Sequence, residues 1–436
     1  MALNAEQLPG PLETSHRPAG SVTGPISSRE RLEVVDIVRG FALLGILLIN
    51  ITAFKSPGGP PLLGYEGRFI DWLVVQATTV LVESKFFTLF SLLFGLGFAI
   101  QLVRAQEQGR AFVPRFIRRL LVLLLFGAAH VVFLWEGDIL VIYALVGLLL
   151  LGFRASRPQT LLRWASALLA LPLLLYSAAL ITFLIVRTWP EYAAQIQQAE
   201  AEFTATIAAA RIEGQRLFGG GSYGEILRAR LSEYGLTFTL LLTRVPAILG
   251  MFLLGLYVGK TGLLEQVARD ELLFRRIRFW GIGLGLLTGL AIVAAQTVLG
   301  SIGDLVVLFF SQGLAGPLGA IGYGSALVLL AQQQRWRARL QPLATVGRMA
   351  LTNYLLQSVV CALLFYGYGL GLAGQVAPSG AALLAFAIYG AQVLWSNWWF
   401  QHFHFGPLEW IWRMLTYLRW QPIGRAKSEG QLAYPG

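Results

Sequence analysis

Residues 118–147 read RRLLVLLLFGAAHVVFLWEGDILVIYALVG. Two arginines open an apolar run, a tight turn with Trp135, Glu136, Gly137 and Asp138 interrupts it, and a second apolar run follows. A helix that crosses a bilayer needs about 20 predominantly apolar residues. The turn therefore folds two membrane helices into a hairpin, and the stretch decides the fold class: an all-α, polytopic membrane helix bundle. His130 lies about five residues inside the outer end of the first helix, roughly 7 to 8 Å below the surface.

The composition agrees. Of 436 residues, 56% are hydrophobic and 13% charged, against roughly 25% charged in an average soluble domain. A soluble surface has to be largely polar, so one core cannot absorb that apolar excess, whereas a bilayer can. The net charge of +11 would suggest nucleic acid in a soluble protein. Here the basic residues form short clusters between apolar runs, as cytoplasmic loops do, so membrane lipids are the expected partners and nucleic acid is not. Cys361 is the only cysteine, which excludes an intrachain disulfide and a multi-cysteine metal site.

Ten candidate spans follow, at 36–54, 85–103, 119–135, 139–153, 163–186, 236–259, 279–299, 304–331, 343–371 and 380–400. The apolar segment Phe69–Val82 is too short to span alone; it lies at the outer interface or extends the second span as one long helix. The loops 104–119, 154–163, 260–278 and 332–348 carry five, three, five and four Lys or Arg, while 136–138, 300–303 and 372–379 carry none. That alternation puts the basic loops, and both termini, in the cytoplasm.

Residues 1–30 are rich in Pro, Gly and Ser, lack an apolar h-region and read as a disordered cytoplasmic tail. The bundle runs over 31–425, and 426–436 forms a second cytoplasmic tail. Segment 187–235 is the one substantial extramembrane piece: two helical stretches broken at Gly219-Gly220-Gly221, on the periplasmic side, either a cap or a spacer. Gly281, Gly285 and Gly289 form a stripe that lets another helix approach closely, and Gly255 and Gly259 repeat the spacing. Pro172, Pro246 and Pro317 are expected to kink or open their spans.

Ionisable residues in a membrane are costly and point to function. Asp36 and Arg39 share a helix face at i, i+3; they form a helix-terminal ion pair or, with Arg348 at the start of the ninth span, an inner pocket for a phosphate-bearing ligand. Glu83 and Lys85 mark the outer end of the second span, with Lys85 snorkelling. Arg244, eight residues into the sixth span, calls for a carboxylate or a polar cavity. Asp138 caps the fourth helix or reaches His130, and such a pair suits general-base work. Asn353 and Gln357, at i, i+4, are interhelical glue or part of a ligand cavity with Thr352 and Glu136. The aromatic stretch that ends the tenth span reads as an interface belt, and His402 and His404 lack an obvious third ligand, so no metal is expected.

DIVRGFALLGILLINI, KFFTLFSLLFGLGFAI, the His130–Asp138 hairpin, GRMALTNYLLQS and FGPLEWIWR, in this order over residues 31–425, resemble the YeiB-like family of bacterial membrane proteins, long catalogued as a domain of unknown function. The resemblance implies a multi-pass protein of the bacterial inner membrane. The family is grouped with transmembrane acyltransferases, including the heparan-alpha-glucosaminide N-acetyltransferase, whose opening pattern is matched by Asp36, Arg39, Gly40, Phe41, Ala42 and Asn50. That relative takes acetyl-coenzyme A from the cytosol and acetylates a sugar amine on the far side. Its proposed catalytic histidine follows the asparagine within a dozen residues; here ITAFKSPGGPPL contains none, and His130 has to serve from another helix. The resemblance thus implies an acyl-CoA co-substrate held by Asp36, Arg39 and Arg348, and a glycan, lipid or small-molecule acceptor near Asn50, His130 and Asp138. The alternatives are a transporter or lipid-handling protein using the same cavity and a structural membrane subunit. A homo-oligomer is compatible with either.

Overall fold

The structure is a computed structural model that describes residues 28–57 and 67–424, with backbone alone at 28–32 and 297–309. In chain order the helices are α1 (Ser28–Lys55), α2 (Phe69–Leu81), α3 (Lys85–Glu107), α4 (Val113–Phe133), α5 (Leu140–Gly152), α6 (Pro158–Val186), α7 (Pro190–Gly220) and α8 (Tyr223–Leu242). They continue as α9 (Val245–Thr261), α10 (Glu271–Phe310), α11 (Gly316–Gln332), α12 (Gln334–Arg348), α13 (Ala350–Phe365), α14 (Pro378–His402) and α15 (Pro407–Tyr417). The chain is an all-α, multi-pass membrane protein. Helix α1 starts at Ser28, inside the stretch expected to be tail; the rest of 1–30, and 426–436, lie outside the described residues.

Seven stretches are long and apolar enough to cross a bilayer, and nine if each of two bent helix pairs is one span. The remaining expected span, the fourth at 139–153, is α5, whose 13 residues reach about 20 Å, short of a hydrocarbon core about 30 Å thick. The sixth span is bent by 54° between α8 and α9, and the ninth by 77° between α12 and α13. Arg348 therefore ends α12 rather than opening a straight ninth span, and Arg244 stands at a break rather than deep in a helix. Pro246 and Pro317 both occupy the first turn of a helix, where a missing N–H costs least, so the interruption falls just before each.

The second span is the long-helix alternative. Phe69–Glu107 forms one apolar stretch of 39 residues, interrupted at Ser84, which has left-handed backbone at φ 60°. Lys85 does not snorkel. It is 1% exposed, with its stem laid along Gly319, where a Cβ would sit 2.7 Å from Lys85 Cδ.

Glycines set the helix contacts. A Cβ at Gly255 would strike Leu92 O, and one at Gly95 would strike Phe252 O, so α3 and α9 meet backbone to backbone. Gly281 and Gly285 face Gly322 and Gly319, with Cβ-to-Cα approaches of 2.8 and 3.0 Å, which makes α10 and α11 antiparallel. Gly289 instead abuts Val80 Cα at 3.0 Å, so the stripe receives two helices, α11 and α2. The backbone of α10 is helical through 300–303, where a loop was expected. Gly40 and Gly347 join α1 to α12: a Cβ on the first would strike Leu343 O, and on the second Asp36 O.

Candidate functional site: a buried histidine–aspartate pair beneath a helical cap

Gly127 makes the hairpin tight. A Cβ there would lie 2.7 Å from Val141 N and 2.9 Å from Asp138 Oδ1, so the start of α5 sits directly on α4, one turn before His130. Asp138 serves both roles considered for it. Its Oδ1 accepts from Val141 N at 2.8 Å, capping α5, and its Oδ2 lies 2.7 Å from His130 Nδ1. Both side chains are buried, at 1% and 0% exposure. A carboxylate accepting from Nδ1–H leaves Nε2 as the basic nitrogen, and among the described residues that Nε2 has no hydrogen-bond partner. The ring of Tyr354, on α13, is 5.3 Å from the imidazole, and that of Trp135 is 6.3 Å away. From Val113, His130 is about 26 Å along α4.

Segment 187–235 covers this end of the hairpin. Arg230, on α8, is wholly buried; its Nη1 donates to Val132 O at 3.0 Å and its Nε is 3.8 Å from Glu136 Oε2. Phe218, at the end of α7, packs at a tilt against Tyr366 (5.1 Å), Tyr366 against Phe54 (5.4 Å) and Phe54 against Trp135 (4.8 Å). Gly367 N donates to Phe218 O at 2.7 Å, and the loop leading to α14 turns through Gly371 and Gly374 at φ 64° and 76°, values only glycine adopts freely. Glu136 lies in the turn between spans. Burial pushes its carboxyl up from 4.5 to about 7, opposed by the Arg230 guanidinium.

The opposite end of the bundle holds the second candidate group. Arg39 Nη1 donates to Asp36 Oδ1 at 2.6 Å and to Gly347 O at 3.4 Å, and Arg348 is within electrostatic range of Asp36. The Arg348 guanidinium lies over Phe400 at 3.8 Å, and that of Arg119 over Trp412 at 3.7 Å. Arg39 and Arg413 are electrostatic neighbours of Arg119. Arg119, Arg230 and Arg413 were missed from sequence; Arg119 and Arg413 sit in quoted motifs, whereas nothing local marks Arg230.

Other expected residues fall elsewhere. Asn50 is half-buried on α1, with no side-chain hydrogen bond to the His130 pair. Asn353 Nδ2 donates to Ser396 Oγ at 3.0 Å and Gln357 Nε2 to Gln392 Oε1 at 2.8 Å, so both amides bind α13 to α14. Glu409 Oε1 accepts from Leu351 N and Thr352 N at 2.7 and 3.0 Å, and its Oε2 from the Thr352 hydroxyl at 2.6 Å. The FGPLEWIWR motif thereby caps the helix of the GRMALTNYLLQS motif. Among the described residues no three His, Cys, Asp or Glu side chains gather as a metal site would.

Fold and site define a multi-pass helical membrane protein with a buried, capped His–Asp pair at one end and clustered arginines at the other. The family described as "Protein of unknown function (DUF418)" matches residues 258–419. Over 419 residues the chain is 35% identical to the uncharacterized protein YxaH of Bacillus subtilis (strain 168), covering 92% of this chain and 98% of that one. It is 32% identical over 417 residues to the uncharacterized protein YeiB of Escherichia coli (strain K12), covering 89% and 96%. An uncharacterized 39.9 kDa protein in the amylase 3' region of Bacillus acidopullulyticus is 30% identical over 411 residues, covering 92% and 97%. The chain belongs to the YeiB-like DUF418 family. No solved structure matches it.

Proposed function

We propose that this protein is a transmembrane acyltransferase of the bacterial inner membrane, with both termini cytoplasmic, moving an acyl group from cytoplasmic acyl-CoA to an outward-facing hydroxyl or amine. The observation that carries the reading is the buried His130–Asp138 pair, whose Nε2 has no hydrogen-bond partner among the described residues. The acceptor attacks the thioester carbonyl while Nε2 takes its proton; collapse expels the coenzyme A thiolate, which recovers that proton. Asp138 fixes the tautomer and stabilises the imidazolium. Arg39, Arg119 and Arg348 supply charge for the donor's phosphates, and Asn50, about 21 Å along α1 from Asp36, orients the acyl carbonyl.

The transporter reading draws on the two bent spans, since interrupted helices often line transport sites. Calorimetry on purified protein with acetyl-coenzyme A separates the two. Saturable binding, weakened by Arg348→Ala in a protein that keeps its thermal stability, is expected. No binding by folded wild type would remove the donor site and favour transport.

A further inference from the structure

A second polar cluster lies where three helices break together. Ser84 interrupts the α2–α3 stretch; α8 and α9 part at Thr243–Arg244; and α11 is entered through a π-helical turn, Ser311–Ala315. The Oγ atoms of Ser84 and Ser311 are 2.7 Å apart in a buried hydrogen bond, and a Cβ at Gly316 would lie 2.8 Å from Ser84 O. Arg244 stands over Phe87, close after the first break, at 5.2 Å. Interrupted backbone at membrane depth persists where protein or a polar cavity shelters it, and π-turns concentrate at functional sites.

Among the described residues the charges there do not balance. Glu83 has Arg244 and Lys85 as its electrostatic neighbours, two cations to one carboxylate. Among the described residues Lys85, almost wholly buried, uses its Nζ for one long bond, 3.4 Å to Glu83 O, although an ammonium carries three donors. Gln312, in the π-turn, is 2% exposed, and its Oε1 has no partner among the described residues. The single Thr88 hydroxyl proton is shared between Ser84 O and Lys85 O, at 2.6 and 2.8 Å, and leaves nothing for Lys85 Nζ or Gln312 Oε1, which keep unmet hydrogen-bonding capacity among the described residues. A buried cation short of acceptors and a buried acceptor without a donor point to a ligand that supplies both.

We propose that this cluster binds a singly charged oxyanion that also bears a hydroxyl, as a glycerol phosphodiester does. The negative charge faces Lys85 and Arg244, and the hydroxyl donates to Gln312. The site is independent of the acyl-transfer reading, and binding alone tests it.

The full-length protein is reconstituted in phosphatidylcholine nanodiscs and titrated with phosphatidylglycerol or with its water-soluble headgroup, glycerophosphoglycerol. Thermal shift and native mass spectrometry report occupancy. Saturable stabilisation by phosphatidylglycerol alone assigns a lipid headgroup, and stabilisation by both assigns the free phosphodiester as well. Lys85→Met should weaken binding at least about tenfold, the loss of one charge-assisted hydrogen bond. Glu83→Gln should tighten it by a similar factor, because it removes the opposing charge; a merely structural cluster would not respond with opposite signs. No saturable response in wild type, or equal weakening by both substitutions, would overturn the proposal.

Discussion

Glu136 and Arg230 form a buried pair with an imperfect contact, and pH should reveal it. A carboxyl whose pKa rises from 4.5 to about 7 binds protons more tightly folded than unfolded. Its stabilising contribution is therefore full below 4.5 and is lost as pH rises through about 7, on the order of 3 kcal/mol. Thermal unfolding across that window should show the loss in wild type and not in Glu136→Gln; identical profiles would mean that the carboxyl is well hydrated. At this scale legibility followed sequence distance. His130 and Asp138 are joined by one turn, so their meeting was readable from the hairpin. Arg230 reaches the same turn from an insertion of ordinary helix formers, and no local pattern announces it.

Helix identity was legible where apolar runs were long, and helix breaks only where a proline marks them, as at Pro246 and Pro317. The run from Ala350 to Phe365 continues α12 without a proline, yet Met349 interrupts it because Gly347 holds the end of α12 against α1 and Glu409 captures the first amides of α13. Glu409→Ala should cost on the order of 2–4 kcal/mol by orphaning buried donors, measured as lost thermal stability in detergent, with Glu409→Gln between it and wild type. The glycine stripes were readable as close-approach surfaces; their partners were not, because spacing names a face and not what lies on it. Gly255→Val should be at least as damaging as a core overpacking change, on the order of 1–3 kcal/mol or more, since it drives a side chain into Leu92 O. Unchanged stability would mean that α3 and α9 are farther apart than described.

At the scale of the whole molecule, the proposed orientation, with the basic loops cytoplasmic, has the His130 pair and its cap facing outward and the arginine cluster facing inward. Reporter fusions after Arg110 and Arg339 should be cytoplasmic and a fusion near Gly214 periplasmic; a cytoplasmic signal at Gly214 would invert the cap and place His130 on the donor side. Composition made the membrane class plain, and the order of motifs made the family plain, but the proposed chemistry depends on one buried nitrogen. The most direct measurement is acyl transfer from acetyl-coenzyme A by wild type and His130→Gln, with turnover and thermal stability taken on the same preparation. A general base contributes about 10² to 10⁴ in rate, so the variant should stay folded, bind donor and lose at least about a hundredfold in turnover. Near-normal turnover per folded molecule would contradict the account and leave His130 as a packing residue.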